Sequence, residues 1–406
     1  MSFVYRIFSY FWFIGILIKY TYDRFFHHKF CGILLYKIGL KRQKILPKGD
    51  KKCVWIHATS LGEAMSTKQL VEKIGKAKDR HIIFSTFTSV GYEYAKTLRG
   101  VDQVVILPSD LKGVMRDLIK KIQPDLFVLI ESDYWFHCLT ELKKYGTKMV
   151  LVGGRISDRS YKRFKRVPIF SRSLFSNFDR FLLQDSFMKE KFLGLGVFEE
   201  KIDVIGNLKL DAYSENVLEN YLPKGRSYIT LGSTHKDEEE SLLKALSSLK
   251  RDVTFVVAPR RPDRFLEVEQ LLKRLSLSWR YVDEKGKGDE RVIFVNKLGV
   301  LDRCYKESDL AIVCGSFYKS TGGHNVYEPV RLGTPVLYGP YTFNQGSLTT
   351  IVERFGVGEE ATLENILEKV QKKLKEGRLT KEKVEEIKRK SEGATEKAIN
   401  IINSLL

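Results

Sequence analysis

From Cys53 onward the chain alternates short apolar runs with longer helical stretches, and that alternation restricts it to a mainly parallel sheet covered by helices on both faces. Residues 53–57, 81–85, 104–107, 125–130, 148–152 and 181–183 read as strands, with helices predicted over 63–76, 92–99, 111–122 and 134–145. The pattern breaks across a polar stretch holding Pro223 and Gly225, then resumes with strands at 228–231, 253–258, 291–295 and 310–313. A chain of 406 residues is too long for one ordinary core, so two such units are expected. The division reads as a segment 1–45, a first Rossmann-like domain 46–211, a linker 212–226, a second Rossmann-like domain 227–380 and a helix 381–406 that packs back on the first domain. Two α/β domains of this kind face a cleft, with ligands beyond the carboxyl ends of the strands.

The polar clusters of the sequence fall at those strand ends. After the first strand comes His57-Ala58-Thr59-Ser60-Leu61-Gly62-Glu63, where Gly62 turns the chain and Glu63 opens a helix. Ser60 with Glu63 three residues later is also the pattern of a capping box, so the pair reads as readily as a cap as it does as chemistry. A carboxylate beside a helix N-terminus is expected to stay ionised, which suits a base acting on a hydroxyl. Glu131 and Asp133 end the strand 125–130; Arg155 and Arg159 follow 148–152, either as a clamp for an acidic substrate or as a basic solvated loop; Lys209 closes the first half.

In the second half, Ser233 and His235 end one strand and Pro259, Arg260 and Arg261 another, with Pro262 suited to a first helical turn. Gly299 would let a base lie against the backbone. The stretch 314–335 places Gly322 and Gly323 between a buried strand and a helix predicted over 326–333, so that backbone N–H groups meet a phosphate while Glu328 meets a sugar diol. A glycine pair alone is equally a tight turn without a ligand.

A net charge of +19 requires a polyanionic neighbour, nucleic acid or an anionic membrane. Residues 3–22, FVYRIFSYFWFIGILIKYTY, are apolar and aromatic, and Lys29, Lys37, Lys41, Arg42 and Lys44 follow. The run is just long enough to span a bilayer and equally suited to lying in its interface, with the basic side in the cytoplasm; a helix packed on the protein's own core is the alternative. The aromatics are not interleaved with Lys and Arg as a base-stacking surface requires, so no nucleic-acid partner is expected. Cysteines at 31, 53, 138, 304 and 314 have no metal-ligand spacing and are expected to be reduced.

Taken in order, the 57–63 turn, the 131–135 strand end, the 155–160 loop, 206–211, 233–235, 259–265 and above all 322–329 resemble the 3-deoxy-D-manno-octulosonic acid (Kdo) transferases of lipopolysaccharide synthesis. The resemblance covers nearly the whole chain. It implies the GT-B architecture with an N-terminal membrane-associated helix, a lipid A precursor (lipid IVA) as acceptor, CMP-Kdo as donor and an inverting, metal-free transfer at the cytoplasmic side of the inner membrane. No cofactor is implied beyond that donor. It also implies Glu63 as general base, Glu131 and Lys209 as supports of the transition state, and Pro259, Arg260, Gly299, Val300, Leu301, Asn325, Val326, Tyr327 and Glu328 as CMP contacts. Ser60, Gly62, Asp133, Arg155, Arg159, Ser233, His235, Ser316, Gly322 and Gly323 are further candidate substrate contacts.

The sequence departs from the family pattern at Asp133, where a second glutamate is common, and at Trp135-Phe136-His137, where Trp-Pro-Asn is common. It departs again at Gly153 or Gly154, where an asparagine is frequent, and at Val300, where an acidic residue is usual. Two other classes fit part of the pattern. Another GT-B sugar-nucleotide transferase or epimerase shares the alternation, and a non-catalytic basic membrane-binding protein shares the charge.

Overall fold

The computed structural model describes residues 5, 14–15, 34–39, 41–211, 222–250, 252–286, 288–343 and 345–406. The chain divides into two compact units, Met1–Tyr213 with Glu392–Leu406, and Ser214–Ser391. In the first, β1 (Lys52–His57), β2 (Arg80–Thr86), β3 (Gln103–Ile106), β4 (Leu126–Ile130), β5 (Lys148–Gly154), β6 (Arg180–Leu183) and β7 (Ile202–Val204) form one sheet in the order β3-β2-β1-β4-β5-β6-β7, parallel throughout. The central strands are buried on both faces, which is why they read as continuous apolar runs rather than as alternating ones. The direction of strand addition reverses between β1 and β4, so the ends of these two strands flank a topological switch point.

The second unit repeats the plan with β8 (Ser227–Thr234), β9 (Val253–Pro259), β10 (Trp279–Tyr281), β11 (Val292–Phe294), β12 (Leu310–Val313), β13 (Val336–Tyr338) and β14 (Gly358–Glu360), ordered β10-β11-β9-β8-β12-β13-β14. Its switch point lies between β8 and β12. The edge strands β7, β10 and β14 have three residues each, too few to show a pattern, and the sequence reading missed them.

Several helices differ from expectation for local reasons. The helix expected over 63–76 is two, Leu61–Ser66 and Lys68–Ile74, broken where the Thr67 hydroxyl donates back to the Ala64 carbonyl (2.7 Å). Gly62 therefore lies inside a helix and does not turn the chain. The stretch 153–160, read as a clamp or a basic loop, runs at its end into the helix Asp158–Arg166, capped by Ser157, and Pro168 starts the next, Pro168–Phe175. The chain returns to the first unit at Glu392 rather than at residue 381, because the helix Lys381–Ser391 stays with the second unit. The last helix, Ala394–Leu405, buries Ala394, Ala398 and Ile402 in the first unit's core. The Asp211 carboxylate accepts from Gly393 N (2.8 Å) and Thr395 N (2.6 Å), and Lys73 and Arg80 reach Glu396 and Asn403 on its outer side.

Of the apolar run 3–22, only Tyr5, Ile14 and Gly15 lie among the described residues, as does none of 212–221 in the linker. Tyr5 packs on the first unit: its ring stacks on Phe170 (5.9 Å between centroids) and its hydroxyl donates to Asp110 (2.8 Å). Lys37, read as part of the basic flank, is buried with Nζ 4.3 Å above the Phe87 ring. Among the described residues no helix is long and apolar enough to cross a membrane.

Candidate active site

At the first switch point, β1 runs into the capping box suggested by the sequence. Glu63 N donates to Ser60 Oγ (3.3 Å), while Glu63 Oε2 accepts from Thr59 N (2.7 Å) and Ser60 N (3.4 Å). The cap uses one carboxylate oxygen and leaves Oε1 without a hydrogen bond among the described residues. A Cβ at Gly62 would meet nothing within 4 Å, so the surface beside Glu63 is open. Burial, reinforced by the charges of Glu131 and Asp133, pushes the Glu63 carboxyl up to about 7 against the pull of the Thr59 and Ser60 N–H groups. The expectation of a carboxylate kept ionised by a helix N-terminus is thus overturned: the helix has six residues, and desolvation outweighs it.

Across the switch point, β4 delivers Glu131 with φ +56° and Asp133 with φ +74°, left-handed conformations that cost a non-glycine residue free energy and that gather at functional sites. Glu131 is 3% exposed, and its two oxygens are paired separately, Oε1 with Lys209 Nζ (2.7 Å) and Oε2 with Arg155 Nε (3.1 Å). Buried and doubly paired, it orients two cations and is committed to them. Asn207 Oδ1 accepts from Lys209 N (3.0 Å) and fixes the turn that aims the lysine. Arg159 does not join this group; one turn further on, it is exposed and makes no ion pair among the described residues. His57 is also outside the chemistry, because burial lowers its pKa to about 4 and Ser85 and Thr59 hold its two nitrogens.

The second switch point is built mainly from backbone. The Glu238 carboxylate is buried and accepts from four N–H groups, His235 (2.9 Å) and Gly315 (2.8 Å) on Oε2, Ser316 (3.1 Å) and Phe317 (3.0 Å) on Oε1. One side chain thereby fixes the loops after both β8 and β12. His235 Nε2 lies 2.8 Å from His324 Nε2, so one imidazole donates and the other accepts. Burial lowers both, His324 to about 4, and nearby arginines reinforce the shift. Gly315 (φ +72°) has no room for a Cβ, which would lie 2.7 Å from the His324 ring. Arg260 and Arg261 are exposed beside this pair and their side chains have no ion pair among the described residues, whereas Arg264 is bound to the buried Glu239 (2.7 and 3.1 Å).

The glycine stretch 322–329 keeps its two left-handed glycines, φ +87° and +84°, but the helix after it is only Tyr327–Arg331. An anion there would be met by loop N–H groups rather than by a long helix axis. Burial holds the Glu328 carboxyl above the usual range, and Asp302, with which it shares a hydrogen bond, adds to the effect, while Arg331 and Arg260 oppose it.

Several of the expected contacts have buried side chains. Val326 and Tyr327 are fully buried, and Val300 packs with Ala258, Ile293 and Cys304, so these three can offer only backbone. The Ser316 hydroxyl is taken up between Val313 O (2.7 Å) and Gly339 N (2.8 Å). Ser233 is buried with φ +57° and shapes the turn before His235. Pro259 is buried at the end of β9, Gly299 (φ +82°) leaves open space around it, Leu301 starts a helix, and Asn325 Oδ1 accepts from Tyr327 N (3.0 Å). Glu238, His324 and Asp302 were not singled out in the sequence; Glu238 looks there like one more acid in a run of four. Among the described residues no group of three or more His, Cys, Asp or Glu is arranged to hold a metal ion.

A family model described as 3-Deoxy-D-manno-octulosonic-acid transferase (kdotransferase) matches residues 36–212. The chain is 33% identical over 369 residues to the 3-deoxy-D-manno-octulosonic acid transferase of Chlamydophila psittaci, covering 88% of this chain and 85% of that one. It is 29% identical over 409 residues to the protein of the same name from Haemophilus influenzae, covering 93% and 95%. Among solved structures, the UDP-GlcNAc 2-epimerase of Neisseria meningitidis bound to UDP-GlcNAc aligns with a TM-score of 0.60 at 12% identity, over 87% of this chain and 99% of that one. An apo lipopolysaccharide outer core galactosyltransferase aligns at 0.58 and 12%, over 87% and 100%. At such identities the structural likeness is one of fold, two parallel-sheet Rossmann-like domains of the GT-B class.

Proposed function

Because the chain belongs to the 3-deoxy-D-manno-octulosonic-acid (Kdo) transferase family, we propose that it is an inverting glycosyltransferase moving Kdo from CMP-Kdo to a hydroxyl of a lipid A precursor. The observation that carries the reading is the state of Glu63. A carboxyl held near 7 by burial, with one oxygen fixed by backbone N–H groups and the other unpartnered among the described residues, is matched to accepting a proton at neutral pH. Glu63 takes the proton of the attacking acceptor hydroxyl as the new ketosidic bond forms. Lys209 and Arg155, aimed by Glu131, supply fixed positive charge around it.

As the bond to CMP breaks, negative charge grows on the departing phosphate. Arg260 and Arg261 are its partners, beside loops that Glu238 holds in place. A carboxyl oxygen of Glu328 accepts from the ribose hydroxyls, which needs no proton transfer. The apolar run 3–22 brings the protein to the cytoplasmic face of the inner membrane, where the acceptor's acyl chains stay in the bilayer.

The test is incubation of the purified full-length protein with CMP-Kdo and lipid A precursor, read by mass spectrometry. Acceptor mass rising by whole Kdo units, with release of CMP, is the expected result, and the mass increment counts the sugars added. Consumption of another nucleotide sugar with CMP-Kdo left intact would replace the reading with a different GT-B activity.

A further inference from the structure

The helix Asp158–Arg166, DRSYKRFKR, carries five cations and one carboxylate in nine residues. The carboxylate, Asp158, is taken by Lys191 (2.8 Å), and none of Arg159, Lys162, Arg163, Lys165 and Arg166 makes an ion pair among the described residues. Arg159, Lys162, Arg163 and Arg166 stand at i, i+3, i+4 and i+7, which makes them one stripe. The opposite side carries Tyr161 and Phe164, packed on the core, where Phe164 lies edge-on to Phe175 (5.3 Å). Like charges at i, i+4 destabilise a helix, so the stripe is held against its own repulsion by packing behind it.

Where the stripe ends, Val167 and Ile169 are exposed, Ile169 to 73%. The neighbouring helix Ser186–Gly194 adds Phe187 (55% exposed), under the Lys191 that holds Asp158. Phe170, next to Ile169, is the residue on which Tyr5 stacks, so Tyr5 meets the folded unit beside Ile169. Uncompensated cations bordering bare aliphatic and aromatic side chains suit a surface that is anionic on top and oily just beneath.

We propose that the outer face of the helices Asp158–Arg166 and Pro168–Phe175 is a second membrane contact, seated on an anionic phospholipid bilayer with the cations at the phosphates and Val167 and Ile169 below them. It extends the membrane reading made above for residues 3–22 to the folded unit, and its test uses no sugar chemistry, so either idea can fail while the other stands. The full chain, with Cys31→Ser and Ile169→Cys, carries an environment-sensitive dye at 169; a second preparation carries it at Ser404→Cys, exposed on the last helix. Vesicles of phosphatidylcholine with phosphatidylglycerol should shift the emission of the dye at 169 to the blue and leave that at 404 unchanged, while phosphatidylcholine alone should shift neither.

The triple variant Lys162→Gln, Arg163→Gln, Arg166→Gln keeps good helix formers at exposed positions, and an unchanged melting temperature would verify its fold. It should raise the anionic-lipid concentration at half-maximal shift about a hundredfold, at roughly fivefold per cation removed. A dye at 169 that stays in water while the protein sediments with vesicles would overturn the proposal. So would equal shifts with neutral and anionic vesicles, or a shift on adding duplex nucleic acid but not vesicles.

Discussion

At the first unit's switch point the active groups are side chains: one carboxyl poised near neutrality, a second carboxylate buried between two cations, and strained backbone to place them. At the second unit's switch point one carboxylate, Glu238, spends itself on four backbone N–H groups, and the charges left over are Arg260 and Arg261, which have no ion pair among the described residues. The strand orders at the two places are the same in kind. The difference teaches that the fold decides only where a site lies, whereas the groups placed there decide what it suits, a poised carboxyl suiting proton transfer and exposed arginines suiting an anion.

The largest expected effect breaks the comparison on its chemical side. Glu63→Gln should lower the single-turnover rate by about 10²- to 10⁴-fold with CMP-Kdo affinity unchanged, since an amide keeps the size and the cap acceptor but takes no proton. The wild-type rate should rise with pH through about 7 and level off above it, following the ionised form. Stability moves the other way. A carboxyl raised from 4.5 to about 7 in the folded state favours folding at low pH and loses that contribution as pH climbs through this window, so the Gln variant should gain in melting temperature on the wild type above pH 7. A folded Gln variant turning over at the wild-type rate would leave Glu63 as a cap alone.

Lys209→Met comes next. It leaves Glu131 with Arg155 as its one cation, and should cost on the order of 10² in rate together with roughly 1–3 kcal/mol of stability, less than the ~3–5 kcal/mol of a buried pair fully broken. Rate loss without a shift in melting temperature would show that the lysine is not anchored as described. Glu238→Gln tests the other side: its NH₂ group faces two N–H donors, so CMP titrations should show affinity down about tenfold, with the rate at saturating donor nearly intact. A change in rate alone would break the division between the two sites. The smallest effect belongs to His324→Gln, expected to weaken CMP binding by only about two- to fivefold because a neutral hydrogen-bonding partner for His235 is retained.

Much of this was legible because strands buried on both faces leave a plain signal and the residues just after them are the ones the fold exposes. Glu63 and Glu131 could be picked out that way; Lys209 was read from its place at the end of the first half, and it does meet Glu131. What was not legible depends on contacts distant in sequence or on backbone conformation. The Glu238 clamp joins residues 77 to 79 positions apart. The raised carboxyl of Glu63 arises from its burial, with Glu131 and Asp133 arriving from another strand to reinforce it, and the left-handed φ angles of those residues have no signature in residue type. The stripe at 159–166 was hidden because a run so rich in Lys and Arg looks like solvated loop until Ser157 is seen to cap it.

The anchoring of Gly393 and Thr395 by Asp211 has a bearing on biosynthesis. The first unit is discontinuous, so a ribosome that has delivered all seven of its strands has still not delivered the helix Ala394–Leu405, and Ala394, Ala398 and Ile402 are missing from its core until then. The second unit is contiguous from Ser214 to Ser391 and is released whole before that helix emerges. The unit that bears Glu63 is therefore interrupted by the whole of the other, and a nascent chain cannot complete the core beside Glu63 until the unit that holds the arginines has been made.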